Sequence, residues 1–430
     1  MSSDICPLTL RFPKIIANKI MNKDNEIYGG IYIHIPFCVK KCLYCDFYST
    51  TDLTRTSPFL AALEREMQLV SPSPLTFDTL YIGGGTPSVL EPGAIEQIIA
   101  AAYRHFAIRS DAELTVEVNP GSVTLEELDR YRLAGVNRLN IGVQSFNNNN
   151  LKFLGRIHSR KEALASIDWA HQAGFENIGL DLIYGLPGRK PNHWLSDLDQ
   201  AFRINPEHLS CYILTSESGT PLDHQVQSGR ISMPSGDRLK ELFEMTVEFL
   251  STHGYRHYEV SNFVRLSKND EGHWESRHNS KYWSLAPYIG LGPSAHSFSD
   301  WQRSWNHRSV AKYIDSLQGD RLPVADSEVL TTEQMVMEAI YLGFRTANGI
   351  DLMDFKDRFG MDFLSTYRGI ITDFQAQGFL SVSQTRCALT TKGMVLLDSI
   401  TEMFTSLEVP DVKGQMSDYR LQMSEDRGRW

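Results

Sequence analysis

The chain has 430 residues, 42% hydrophobic and 22% charged, a balance that fits a soluble globular protein of one large and one smaller domain. Its formal net charge of -10 argues against nucleic acid as the main partner, because affinity for a phosphate backbone is largely electrostatic. No run approaches the ~18–20 apolar residues needed to cross a bilayer, so any membrane contact is expected to be peripheral.

Residues 1–27 read as an N-terminal extension without the apolar h-region of a secretory signal, and Asp4, Asp24 and Glu26 weaken a transit-peptide reading. Over 28–255 strand and helix patterns alternate. IYIHIPF is β-rich and PFLAALEREMQLV helical; TLYIGGGT runs from a strand into a glycine turn, and AIEQIIAAAYRHF is amphipathic. ELTVEVNP is a further strand, and TLEELDRYRLAG opens with Thr124 and Glu127 at capping-box spacing. RLNIGVQSF, KEALASIDWAHQAG, NIGLDLIYGLP and HLSCYILT complete six strands, which implies parallel pairing with right-handed crossovers. The fold class is therefore α/β. A partial (β/α)6 barrel is favoured over a doubly wound sheet, because Gly83 to Thr86, Glu117, Gln144 and Asp181 are polar or glycine-rich breaks near the C-terminal ends of strands. A dinucleotide fold would instead need a G-x-G-x-x-G turn after the first strand, and here that strand ends in a cysteine loop. Residues 256–322, rich in Trp, Tyr, His and Asn, form a bridging segment. Over 323–403 helices precede the strand-like GFLSVS and CALTTKG, which suggests a winged-helix-like domain whose mixed charges favour packing or partner docking over DNA. Residues 404–430 read as a polar tail.

Of the cysteines at 6, 38, 42, 45, 211 and 387, three are bunched and three scattered, a usage that fits a reducing cytoplasm. The bunched set is C-x3-C-x2-C. A zinc site would want a fourth ligand at matching spacing, which is not evident, so an iron–sulfur cluster on three thiolates fits best. Three ligands leave one iron open, a position suited to the amino and carboxylate groups of S-adenosylmethionine (SAM). The loop resembles the signature of the radical SAM superfamily. A SAM pocket needs close backbone approach, which GGGTP permits. Glu117 can accept from ribose hydroxyls, Gln144 and Arg156 can bracket a carboxylate, and Asp181 needs a partner if buried. Singly, these residues read as a turn, a solvated acid and a surface arginine; their recurrence at successive strand ends carries the reading.

Taken together, YIHIPFCVKKCLYCDFYS, GGGTPS, GVQSF, LGRIH, DLIYGLPG, HYEVSNF and HNSKYW are similar, in order from Tyr28 to about residue 400, to the oxygen-independent coproporphyrinogen III oxidase-like family. Within it the chain resembles the heme-chaperone branch. Decarboxylases of the family carry a further cysteine two residues past the third ligand, where this chain has Phe47, and HNSKYW matches an HNxxYW element linked to heme in the chaperone branch. Arg189 departs from a common GLPGQ and Val264 from a common SNFA. The resemblance implies that Cys38, Cys42 and Cys45 hold a [4Fe–4S] cluster. It implies that Tyr32, Tyr44 (through its backbone), Gly84, Gly85, Thr86, Glu117, Gln144, Arg156 and Asp181 contact SAM. It also makes His278, flanked by Tyr282 and Trp283, the heme-ligand candidate, with His257, His273 and His296 as alternatives. Read from physics alone, His278 is sooner a histidine capping a turn among core aromatics, and it is the resemblance that turns the reading toward heme. The implied function is a cytoplasmic heme chaperone that delivers heme to acceptor hemoproteins, membrane-bound respiratory enzymes among them, with a homodimer in view. The alternative is oxidative decarboxylation of coproporphyrinogen III.

Overall fold

The computed structural model describes residues 27–71, 73–266 and 274–406; the N-terminal extension through residue 26, His273 and the tail beyond residue 406 lie outside the described residues. Six strands lie side by side in chain order, each parallel to the next: β1 (Gly29–Ile35), β2 (Thr76–Gly84), β3 (Ala107–Val118), β4 (Arg138–Gln144), β5 (Ile178–Tyr184) and β6 (His208–Ile213). Helices α1 (Thr56–Val70), α2 (Ala94–His105), α3 (Leu125–Leu133), α4 (Asn148–Leu154), α5 (Arg160–Gln172) and α6 (Pro191–Ile204) fill the crossovers. Thr124 and Glu127 form a reciprocal capping box on α3, and Ser159 with Glu162 repeats it on α5, which satisfies two otherwise orphaned backbone donors at each start.

The period-two alternation of a strand sorts the residues onto two faces. Ile31, Ile33, Leu80, Ile82, Val116 and Leu180 belong to the helix-covered core. The residues between them, such as Tyr32, Tyr81, Glu117, Asn140 and Asp181, fall on the concave face. This is an open, partial (β/α)6 barrel.

The sheet is longer than six strands. Beyond β6 the chain forms α7 (Pro221–Gln227), α8 (Gly236–Thr252) and the antiparallel pair β7 (Tyr255–Glu259) and β8 (Asn262–Arg265), with β8 hydrogen-bonded to β6. After α9 (Arg277–Trp283), strand β9 (Tyr288–Leu291) pairs parallel with β1 at the opposite edge. β10 (His296–Ser299), β11 (Gln302–Asn306) and, past α10 (Val310–Gln318), β12 (Val324–Val329) extend that edge to twelve strands. Segment 256–322 thus spans the molecule from one edge to the other. Without these additions β1, which leads into the cysteine loop, would be an unpaired edge strand.

The C-terminal part comprises α11 (Thr332–Arg345), β13 (Ile350–Asp351), α12 (Leu352–Phe359), α13 (Phe363–Thr366), α14 (Arg368–Ala376), β14 (Leu380–Val382), β15 (Arg386–Leu389), α15 (Thr391–Met394) and α16 (Leu397–Thr405). Its small sheet runs β13-β15-β14 against the helices. It is joined to the β7 edge by Val260 N–H donating to the Arg345 carbonyl (3.1 Å) and by Ala347 N–H donating to that of Tyr258 (2.9 Å).

Candidate cofactor site

The cysteine loop leaves β1 at Pro36 and is pinched shut at its base: Cys38 N–H donates to Thr50 O (3.0 Å) and Thr50 N–H to Pro36 O (2.7 Å). His34 ties the loop from below. Its Nε2–H donates to the Tyr48 carbonyl at 2.8 Å, which leaves Nδ1 to accept from the Tyr32 hydroxyl at 3.0 Å. Burial holds this imidazole down to about 4, so it stays neutral. Tyr32 is therefore occupied with His34 at the floor of the site.

The glycine run has a steric cause. A Cβ on Gly85 would lie 2.7 Å from Phe37 O, 2.9 Å from Ile35 O and 3.0 Å from Cys38 Sγ, so β2 can approach the cluster loop only without a side chain. Gly84, at φ +106°, turns its N–H onto Glu117 Oε2 at 3.0 Å. Thr86 Oγ1 stands 3.5 Å from Cys38 Sγ. Glu117 also accepts from Tyr81 OH at 2.7 Å; burial raises its carboxyl to about 7, against the pull of that hydrogen bond.

On the other side of the mouth, Arg156 follows α4 and reaches back into the site. Its guanidinium contacts Asn119 Oδ1 (2.7 Å), the Gly142 carbonyl (2.8 Å) and Cys42 Sγ (3.6 Å). Gln144 lies beside it, held at φ +65° where β4 slips register. Such strain in a non-glycine residue survives only where surrounding structure enforces it. Asp181 sits deeper, bonded at 2.7 Å by Asn140 Nδ2, and burial pushes its carboxyl up. Gln144 Oε1, Asp181 Oδ1 and Arg156 Nε are buried without a hydrogen-bond partner. Orphaned acceptors and a guanidinium N–H around one mouth suit a ligand with amino, carboxylate and hydroxyl groups.

Among the described residues no three metal-ligating side chains converge on a single point. A cubane does not ask them to, since each thiolate binds a different iron. The donor set of Cys38, Cys42 and Cys45 on one clamped loop fits that group.

His278 is not part of this site. It lies on α9, which closes the other end of the barrel: Arg277 donates to the Asp111 carbonyl (3.0 Å), and Arg138 on β4 donates to the Trp274 carbonyl (3.2 Å). The imidazole is 1% exposed and stacks on Tyr81. Thr79 Oγ1 at 2.8 Å engages Nδ1 and Tyr282 OH at 2.9 Å engages Nε2. In this conformation neither nitrogen is open to iron; ligation there requires α9 to leave the barrel. His257 is half-buried with Nε2 on the Val260 carbonyl (3.2 Å), and His296 stacks on Trp305. Four contributors not singled out from sequence are His34, Tyr81, Asn119 and Asn140. Asn119 and Tyr81 had a signal, each two positions from a strand-end residue on the same face.

The comparisons agree with this geometry. The radical SAM superfamily profile matches residues 32–201, and that of the HemN C-terminal domain matches 330–396. A heme chaperone HemW from Bacillus subtilis is 33% identical, over 87% of this chain and 98% of its own. The chain belongs to the heme chaperone HemW family. The HemW of Escherichia coli K12 is likewise 33% identical, across 87% of this chain and 97% of the relative. Radical SAM membership brings a [4Fe–4S] cluster and SAM as cofactors. In fold, this chain also resembles coproporphyrinogen III oxidase (HemN) from Escherichia coli, a radical SAM enzyme, with a TM-score of 0.76 over 89% of this chain and 91% of the other at 24% identity.

Proposed function

We propose that this protein binds heme and hands it to acceptor hemoproteins while carrying a [4Fe–4S] cluster and SAM. The observation that carries the reading is the alignment with heme chaperones named HemW across nearly their whole length. Phe47 supports it: the side chain is exposed just beyond Cys45, at the position where the family's decarboxylases carry a further cysteine.

In this reading Cys38, Cys42 and Cys45 hold the cluster, and Gly85 lets β2 lie against it. Glu117 presents carboxylate oxygens to hydroxyl groups of SAM, and Arg156 with Gln144 addresses its carboxylate end. The cluster, when bound, supplies an open iron site and one electron for the sulfonium. Tyr32 and His34 hold the loop's floor in one protonation state. Acceptors are hemoproteins of the respiratory membrane, met peripherally from the cytoplasm; no helix among the described residues is long and apolar enough to cross a bilayer. Delivery proceeds from a homodimer, which sedimentation with and without SAM tests: a monomer under both conditions removes the dimer from the reading.

The deciding experiment loads cluster-reconstituted protein with heme anaerobically, mixes it with an apo-hemoprotein and separates the two. Saturable loading followed by movement of the Soret band into the acceptor is the expected result. Failure to bind heme, together with SAM-dependent decarboxylation of coproporphyrinogen III, would replace the chaperone by the oxidase.

A further inference from the structure

The cysteine loop is closed in from below and from the β2 side. His34 holds its base, and Gly85 lies so near that an added Cβ would sit 2.7 Å from the Phe37 carbonyl and 3.0 Å from Cys38 Sγ. Cys38 is accordingly buried, whereas Cys42 and Cys45 are half-buried. The outer side of the loop is therefore where the surface comes nearest to the thiols.

That side is apolar and cationic together. Val39 and Phe47 are exposed on the loop itself, and Ile157 is exposed beside it, sharing a shallow recess with Val39, Lys40 and Cys42. Exposed apolar groups gathered in one place mark a contact surface, whereas single ones do not. Lys40 and Lys41 are both exposed and, among the described residues, neither is in an ion pair. Lys41 is near enough to Cys45 for its charge to favour the thiolate, and Lys40 lines the recess with Cys42. The loop's acid, Asp46, is engaged by Arg308 at 3.3 Å. A chain of net charge -10 thus turns a cationic, partly apolar collar outward at its two accessible thiols.

A cluster on this loop needs one electron from outside before its open iron can act on a sulfonium, and electron transfer weakens steeply with distance. The SAM groups and β2 take up the inner side, so a donor approaches the thiols from the outer one. We propose that the collar of Val39, Lys40, Lys41, Phe47 and Ile157 is the docking face for a small acidic electron-carrier protein. In the docked pair one electron leaves the carrier's reduced group, which is oxidised by one unit, and enters the cluster; no bond forms or breaks and no proton has to move. Lys40 and Lys41 steer the acidic carrier, and the three apolar side chains give the contact a small desolvated centre. Transient redox contacts of this kind bury less than ~1,200 Å² in total. The proposal rests on the cluster reading above and is independent of heme delivery.

The test takes full-length, cluster-reconstituted protein and follows reduction of the cluster anaerobically by stopped flow. One reductant is fully reduced flavodoxin, an acidic flavoprotein; the other is reduced methyl viologen, a small cation that needs no docking face. With flavodoxin the wild-type rate should fall as salt rises, and Lys40→Glu/Lys41→Glu should lower it roughly tenfold or more at low salt. Phe47→Ser should also lower it, with the salt dependence kept. Viologen should reduce these variants at least as fast as wild type, at equal iron content, which shows that fold and cluster are intact. The same charge reversal on the C-terminal domain, Lys356→Glu/Lys392→Glu, should leave the flavodoxin rate near that of wild type. Flavodoxin rates equal in wild type and both loop variants overturn the docking face. So does an equal fall in the C-terminal control, which would show only whole-molecule charge at work. A wild type that viologen reduces and flavodoxin does not overturns the proposal and leaves the cluster reading standing. Loop variants that keep the flavodoxin rate but lose a wild-type dimer in sedimentation give the collar to a second copy instead. A wild type that viologen cannot reduce sinks the cluster reading itself, and the proposal with it.

Discussion

Gly85 marks the closest approach of β2 to the cysteine loop. Its substitution by Ala places a methyl group within 3.0 Å of two carbonyls and the Cys38 thiol, the proposed cluster ligand, with backbone atoms that have nowhere to go. Reconstituted Gly85→Ala is expected to hold well under the four irons per chain of a full cubane, with its far-ultraviolet spectrum unchanged. Full iron loading would show that the loop relaxes more freely than the contacts allow. His278 makes a second prediction at this scale. Burial, with Lys281 nearby, holds its imidazole down to about 3, below the ~6.5 of an unfolded chain. Between those values the unfolded chain binds more protons. The stability His278 contributes is thus fully present above pH ~6.5 and is lost as pH falls toward 3. Lowering the pH from 7.5 to 5.5 should take about 1.4 kcal/mol more from wild type than from His278→Gln, read by urea denaturation of cluster-free protein. Equal losses would mean the site opens to water before the chain unfolds.

Helix α1 shows the same physics acting between elements. Glu66 is 2% exposed and accepts from Gly292 N–H (2.8 Å), Asn306 Nδ2 (2.6 Å) and Tyr313 OH (2.6 Å), which fastens α1 to the turn after β9, to β11 and to α10. Gly292 in turn lies against the His34 carbonyl, beneath the cysteine loop. Glu66→Ala would take their acceptor from the buried Gly292 N–H and Tyr313 OH, leave Asn306 Nδ2 only its bond to the Gly292 carbonyl (2.9 Å), and should cost about 2–4 kcal/mol by chemical denaturation. A cost below ~1 kcal/mol would mean that water enters and satisfies them. The parallel strands, the capping box of α3 and the polar strand ends were legible in the sequence because each is a local pattern. The short strands at both edges were not, since four- and five-residue strands such as β8 and β11 carry too little periodicity and owe their form to the strand beside them.

Across the whole molecule, one apolar core runs from Ile31 in β1 to Phe404 in α16. The C-terminal domain is bound to the barrel edge by an ion pair, Glu259 with Arg345 at 2.9 Å, in which the Glu259 side chain is fully buried. Arg345→Ala strands that carboxylate and should destabilise the fold by about 3–5 kcal/mol, whereas replacing both partners with apolar residues of similar size should cost far less. Equal costs for the single and double variants would mean that Glu259 gains no stability from its partner. A single unfolding transition covering both domains is expected on the same grounds.

Three cysteines at fixed spacing, glycines where β2 meets them and alternating strands and helices determine the cluster, the barrel and the family, because each is written in residues close together along the chain. The tertiary structure alone decided where the distant groups go. Arg156 returns to a thiol 114 positions earlier, and His278, adjacent in sequence to the aromatics expected to cradle heme, is carried to the far end of the barrel and closed in there. Sequence states which side chains are present. Whether a histidine meets iron or a threonine hydroxyl depends on which strands the folded chain lays beside it.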